Sequence, residues 1–123
     1  MRPLRVLIAD DNDIAREFLS ALAGSEPDVE VVGLANNGLE AVSRASALVP
    51  DVVIMDVEMP RMDGLEAAQI LKRKLPTVGI LHVSGYGGYE WTSIAAGADG
   101  FLAKPFDGGK LVSELRRIAA KYC

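Results

Sequence analysis

The sequence predicts an α/β domain in which a parallel β-sheet is wrapped by helices on both faces. Three observations carry that prediction. Short apolar runs rich in β-branched residues recur along the 123 residues, each of strand length and too short for a helix. Stretches with apolar residues at helical spacing separate them, closed by glycine or proline. No linker, low-complexity tract or repeat interrupts the alternation, so consecutive strands connect through right-handed helical crossovers.

Taken in order, Leu4-Arg-Val-Leu-Ile-Ala9 is the first strand, and it ends in the acids Asp10-Asp11. Asn12 or Asp13 caps a helix whose apolar face is Ile14, Phe18, Leu19 and Leu22 and which Gly24 ends. Val29-Glu-Val-Val-Gly-Leu34 is the second strand, and Asn36-Asn-Gly38 reads as a turn of residues that tolerate positive φ. Val42, Ala45 and Val49 mark a helix that Pro50 closes. Val52 to Met55 is a fully buried third strand that delivers one acid, Asp56, at its carboxyl end. After Pro60, Asp63 and Glu66 form a capping box for a helix from about Leu65 to Lys74. Val78-Gly-Ile-Leu-His-Val83 is the fourth strand and leads into Ser84. Gly85-Tyr-Gly-Gly88 is a loose connection to a short helix over about Tyr89 to Ala96, and this loop and helix are expected to be the most mobile part of the resting chain. Phe101-Leu-Ala103 is a brief fifth strand running into Lys104-Pro105, and Asp107 caps a last helix with the face Leu111, Leu115, Ile118 and Tyr122.

Bulk properties narrow the function. A formal net charge of −4 offers no basic stripe for nucleic acid. The basic clusters Lys72-Arg-Lys74 and Arg116-Arg117 read as complements to helix dipoles. One cysteine, Cys123, rules out an internal disulfide and suits a reducing compartment, with a free terminal thiol as its ordinary role. No apolar run reaches the roughly 18 to 20 residues that span a bilayer, and Met1-Arg-Pro leads into a strand instead of a signal peptide, so a cytoplasmic domain with no membrane partner is expected.

Parallel strands end at a common edge, so Asp10, Asp11, Asp56, Ser84 and Lys104 are expected to converge there. Three carboxylates in one place raise one another's pKa, and a hard divalent cation, most simply Mg²⁺, relieves them with oxygen ligands. The backbone carbonyl of Glu58 can add a neutral ligand, and Lys104 brings positive charge from the other side. Such a set neutralises the equatorial oxygens of a phosphoryl group in transfer. Asp56 is the candidate nucleophile, and Ser84 a bond to a third phosphoryl oxygen.

With those residues assembled, the chain resembles a receiver domain of bacterial two-component response regulators over essentially its whole length, residues 1–123. The resemblance rests on Asp10-Asp11, on Asp56, Met59-Pro60 and Asp63-Gly64, on Ser84, on Gly97-Ala-Asp-Gly100 and on Lys104-Pro105. It implies a flavodoxin-like fold of strand order 2-1-3-4-5, a cis bond before Pro105, and Mg²⁺-dependent phosphorylation of Asp56 by a histidine kinase or a histidine phosphotransfer protein. It implies slow self-dephosphorylation and no other enzymatic turnover, with Glu58 and Tyr86 flanking the water's approach and tuning the phosphoryl lifetime. Coupling to output would run through Ser84 and Phe101, the aromatic turning inward when the hydroxyl moves toward the phosphoryl group. Because Phe101 has no phenolic hydroxyl, burial favours the inward rotamer and narrows the on/off gap. The implied partners are a downstream effector or fused output domain, or a second copy in a phosphorylation-dependent homodimer, with no direct nucleic-acid contact by this domain.

His82, inside a strand, reads as a packed histidine with one satisfied nitrogen, and Met55, Met59 and Met62 as core and rim filler. Trp91, Tyr86 and Tyr89 form either a docking patch on the fourth helix or a cover for the core edge. A phosphatase of the haloacid dehalogenase type also uses a nucleophilic Asp, Mg²⁺ and a Lys, but its nucleophile normally ends the first strand, with a second Asp two residues on. Here position 58 is Glu and no residues remain for a cap domain. An FMN-binding flavodoxin would need a phosphate loop after the first strand, where Asp10-Asp11 would repel the phosphate. With no effector after Tyr122-Cys123, the chain is either a stand-alone phosphoacceptor or an excised receiver. Val31-Val-Gly-Leu-Ala-Asn-Asn-Gly38 resembles the second-strand region of regulators with a DNA-binding output.

Overall fold

The computed structural model describes residues 2–122. Five strands alternate with five helices: β1 (Leu4–Ala9), α1 (Asp13–Gly24), β2 (Val29–Ala35), α2 (Gly38–Leu48), β3 (Val52–Asp56), α3 (Gly64–Lys74), β4 (Gly79–Ser84), α4 (Glu90–Ala95), β5 (Gly100–Ala103) and α5 (Gly108–Lys121). All pairings are parallel and the order is β2-β1-β3-β4-β5, the flavodoxin-like arrangement. The free thiol expected of Cys123 lies outside the described residues.

Period-two alternation splits the strands between two cores. Leu7, Ala9, Val53, Met55 and Ile80 face α2 and α3, together with Ala96 and Ala98 just after α4. Val6, Ile8, Val52, Ile54, Leu81 and Val83 face α1 and α5. The sheet is therefore covered on both sides, and each fully buried Leu or Ile contributes on the order of 2 kcal/mol.

The helix signals mostly hold. Asn12, Asn37, Asp63 and Asp107 each cap a helix by accepting a backbone N–H three residues on. Two expectations need correction. The α1 face is only partly as expected: Leu19 is buried with Ala23 and Leu22 packs beside them, whereas Ile14 is 80 % and Phe18 58 % exposed. Leu19, Leu22 and Ala23 lie on the side turned to the sheet and α5, and Ile14 and Phe18 are left over solvent. Asn36-Asn-Gly38 is not a positive-φ turn; Asn37 is the extended N-cap of α2. Gly38 is required there for a different reason, since a Cβ would lie 2.1 Å from the Met62 carbonyl oxygen, which accepts the Gly38 N–H at 2.9 Å.

At the amino-terminal edge of the sheet a polar network closes the fold. The side chain of Asp99, 2 % exposed, receives Lys121 Nζ (2.8 Å), the Tyr122 hydroxyl (2.6 Å) and the Ile80 N–H (2.9 Å). Lys72 pairs with it at 3.2 Å, donates to the Val78 carbonyl at 2.8 Å, and lies over the Tyr122 ring. Lys72 is thus a cross-link between α3 and α5 as well as a complement to the α3 dipole.

Candidate functional site

At the opposite edge, β1 and β3 end side by side and bring Asp10, Asp11 and Asp56 together. One oxygen from each carboxylate lies within 4.8 Å of the other two. Asp10 is fully buried, while Asp11 is exposed and Asp56 lies between. Lys104, carried past β5, reaches Asp10 at 3.3 Å and Asp56 at 3.6 Å. The backbone N–H of Lys104 donates to the Ser84 carbonyl at 2.8 Å, and the Lys104–Pro105 bond is cis. Ser84 is buried, and its hydroxyl accepts the Tyr86 N–H at 3.1 Å.

Burial pushes the Asp56 carboxyl above the ordinary carboxylate range, and Asp10 and Asp11 push it the same way. Lys104 and the Glu58 N–H, which donates to Asp56 at 3.3 Å, pull it back without cancelling the rise. A divalent cation suits this donor set, which is all oxygen and carries more negative charge than Lys104 balances. Asp10, Asp11 and Asp56 would be its protein ligands.

Close backbone approach fixes the carrier of Asp56. Gly64 opens α3 directly against β3: its N–H donates to the Val57 carbonyl at 2.7 Å, and a Cβ there would lie 2.2 Å from the Asp56 carbonyl oxygen. His82 is fully buried with Nε2 2.8 Å from the Gly64 carbonyl, a packed histidine with one satisfied nitrogen. Burial holds its pKa below the usual histidine range.

The other expected residues fall on the rim. The Glu58 side chain is exposed and accepts a hydrogen bond from the Tyr89 hydroxyl, which raises the tyrosine pKa. Tyr86 is exposed, and Phe101 is half-buried and outside both core clusters. Trp91 (85 % exposed) and Ile94 stand in solvent on α4, so Trp91 does not cover the core edge. Sequence reasoning missed two contacts. Tyr89 reaches back to the loop after β3, and Arg16 donates to the Asp10 carbonyl at 2.8 Å while pairing with Asp13. The i,i+3 spacing of Asp13 and Arg16 was the available signal for the second; nothing local marked the first.

Residues 6–116 match the response regulator receiver domain family. The chain belongs to that family. Like the receivers of two-component signal transduction, it is a phosphoacceptor domain. The protein-glutamate methylesterase/protein-glutamine glutaminase of Thermotoga maritima is 40 % identical over 121 residues, 96 % of this chain and 35 % of that protein. The second such protein of Carboxydothermus hydrogenoformans is 40 % identical over 108 residues, 85 % of this chain and 30 % of its own. The receiver therefore spans about a third of the length of these curated relatives. Among solved structures, the response regulator domain of Thermotoga maritima CheB superposes with a TM-score of 0.89 at 35 % identity, covering 97 % of this chain and 98 % of that one. The receiver domain of the response regulator NarL from Mycobacterium tuberculosis gives 0.93 at 30 % identity, covering 98 % of each chain. A CheX–CheY–BeF₃–Mg²⁺ complex from Borrelia burgdorferi gives 0.89 at 26 % identity, over 95 % of this chain and 90 % of that one. A receiver match sets aside the haloacid dehalogenase alternative.

Proposed function

We propose that Asp56 is the phosphoacceptor of this receiver and that it takes its phosphoryl group from a phosphohistidine on a kinase or phosphotransfer protein. The convergence of Asp10, Asp11, Asp56 and Lys104 on one rim carries the reading. An Asp56 carboxylate oxygen attacks phosphorus, the phosphorus–nitrogen bond to histidine breaks, and an acyl phosphate forms. Asp10, Asp11, Asp56 and the Glu58 carbonyl would hold Mg²⁺, which when bound supplies the divalent charge that the phosphoryl oxygens require. Lys104 neutralises a further oxygen from the opposite side, and Ser84 donates to another. Ser84 and Phe101 serve as the switch pair, and Glu58 and Tyr86 set the phosphoryl lifetime. Because Tyr89 holds the Glu58 carboxylate, that lifetime is coupled to the start of α4.

The chemistry stops at the domain's own phosphorylation and slow hydrolysis. It works in the cytoplasm beside its kinase; among the described residues no helix is long and apolar enough to cross a membrane. The output is a downstream effector or fused domain: the methylesterase relatives support an enzymatic one, and the likeness to a LuxR-family DNA-binding response regulator from Staphylococcus aureus (TM-score 0.88 at 25 % identity, over 94 % of this chain and 98 % of that one) a DNA-binding one. Intact-mass measurement after Mg²⁺ and acetyl phosphate tests the core of this reading. The expected result is a gain of one phosphoryl group, absent in Asp56→Asn. Continued turnover of phosphate esters, or equal labelling of the variant, would overturn it.

A further inference from the structure

Among the described residues two buried side-chain polar atoms lack a hydrogen-bond partner: His82 Nδ1 and Ser93 Oγ. Both side chains are fully buried, and the bare cost of such atoms makes an unpaired pair a feature that needs a reason. They share one side of the sheet. His82 lies two residues along β4 from Ile80, which packs in the same core as Ala96 and Ala98. Ser93 is the one buried residue of α4, three residues before Ala96, and its carbonyl accepts the Ala98 N–H at 3.0 Å.

Their chemistry is complementary. The Gly64 carbonyl can only accept, so His82 Nε2 carries the proton in that 2.8 Å bond. In the neutral ring this leaves Nδ1 as an acceptor with no donor, while Ser93 is a hydroxyl donor with no acceptor. The two also sit on elements of unequal firmness. At its Nε2 end His82 is tied to Gly64, whose own N–H is bonded to Val57 beside Asp56. Ser93 rides on a helix of six residues whose N-cap, Tyr89, makes no side-chain capping bond and which follows glycines with open space around them.

We infer that His82 is a positioning residue linking the phosphoacceptor loop to α4, unpaired at Nδ1 in the resting domain and bonded there by the Ser93 hydroxyl when α4 shifts on phosphorylation. This rests on the phosphoacceptor reading of Asp56. It adds a route to α4 separate from Ser84 and Phe101. No atom is transferred; one hydrogen bond forms, and satisfying two buried atoms together favours the shifted helix.

His82 is the chain's single histidine, so its ring nitrogens give one unambiguous set of NMR signals. The full chain, ¹⁵N-labelled, is compared before and after Mg²⁺ and excess acetyl phosphate, with the mass of the same sample recording labelling. The expected resting state is the Nε2–H tautomer with a free Nδ1. On labelling the Nδ1 signal shifts upfield as it accepts a bond, and Ser93→Ala loses that shift while still labelling fully. Ser93→Ala also raises the urea midpoint of the resting protein, since it removes an unpaired buried hydroxyl, a gain that a merely structural role for Ser93 would reverse. Full labelling with an unmoved Nδ1 signal, or an Nδ1–H tautomer at rest, overturns the link alone. Absence of labelling overturns the phosphoacceptor reading and the link with it.

Discussion

The two edges of the sheet treat aspartate in opposite ways. At the amino-terminal edge burial would raise the Asp99 carboxyl, but Lys121, Tyr122, the Ile80 N–H and Lys72 outweigh it and hold the group below the usual range. At the carboxyl-terminal edge burial also raises Asp56, yet two further carboxylates add to the rise and only a lysine and the Glu58 N–H oppose it. One edge is saturated with donors and fastens α3, β4 and α5 together. The other is left short of positive charge, as the proposed cation and phosphoryl site requires.

The largest effect that would break this contrast is at Asp99. Asp99→Ala takes from Lys72 its carboxylate partner and leaves the Ile80 N–H unpaired, and urea unfolding is expected to show a loss of about 3 kcal/mol. Because the Asp99 pKa is depressed in the folded state, its contribution is present above the unfolded carboxylate pKa and fades as pH falls through the folded one. Wild-type stability should therefore drop on the acid side of that window, and the variant's less so. Next in size is the cation. Mg²⁺ at a hundredfold its dissociation constant should stabilise the wild type by about 2.7 kcal/mol in thermal melts and leave Asp11→Asn nearly unmoved. An equal response in both would place the ion elsewhere.

Asp56→Asn sharpens the comparison with the opposite sign. A raised folded pKa means that the ionised group opposes folding at neutral pH, so the variant should be more stable without Mg²⁺, by about 1 kcal/mol, with the gain vanishing below the unfolded carboxylate pKa. Chemical unfolding at two pH values checks it. Smallest is the glycine loop. Gly85 and Gly87 have negative or extended φ and nothing within 4 Å of an added Cβ, so alanine at both should gain about 0.5 kcal/mol per site and slow amide exchange in α4.

The fold was legible because its signals are local. A β-branched run ending in an acid, or an Asn or Asp three residues before a free helical N–H, states its own conformation, and the strands and the caps of α1, α3 and α5 follow from them. The acid cluster and Lys104 were legible through one topological rule, that parallel strands share an edge. Half of the α1 face was misread: Leu19 and Leu22 do pack on the core, but Ile14 and Phe18 keep helical spacing with Leu22 as well as Ala23 does with Leu19, and only packing chooses between two overlapping stripes. Gly38 was assigned to a turn because close backbone approach and positive φ leave the same residue in a sequence. The Tyr89 to Glu58 bond spans 31 residues and depends on where an uncapped helix comes to rest, which no local pattern encodes.

Gly64 joins β3 and α3 without a side chain between them. Its missing side chain lets the first turn of α3 sit flush on the peptide that follows Asp56, with no compliant methyl group between two rigid backbones. Any side chain at this position would force the two backbones apart, so the placement of the strand end and of the helix start is set by a single direct contact.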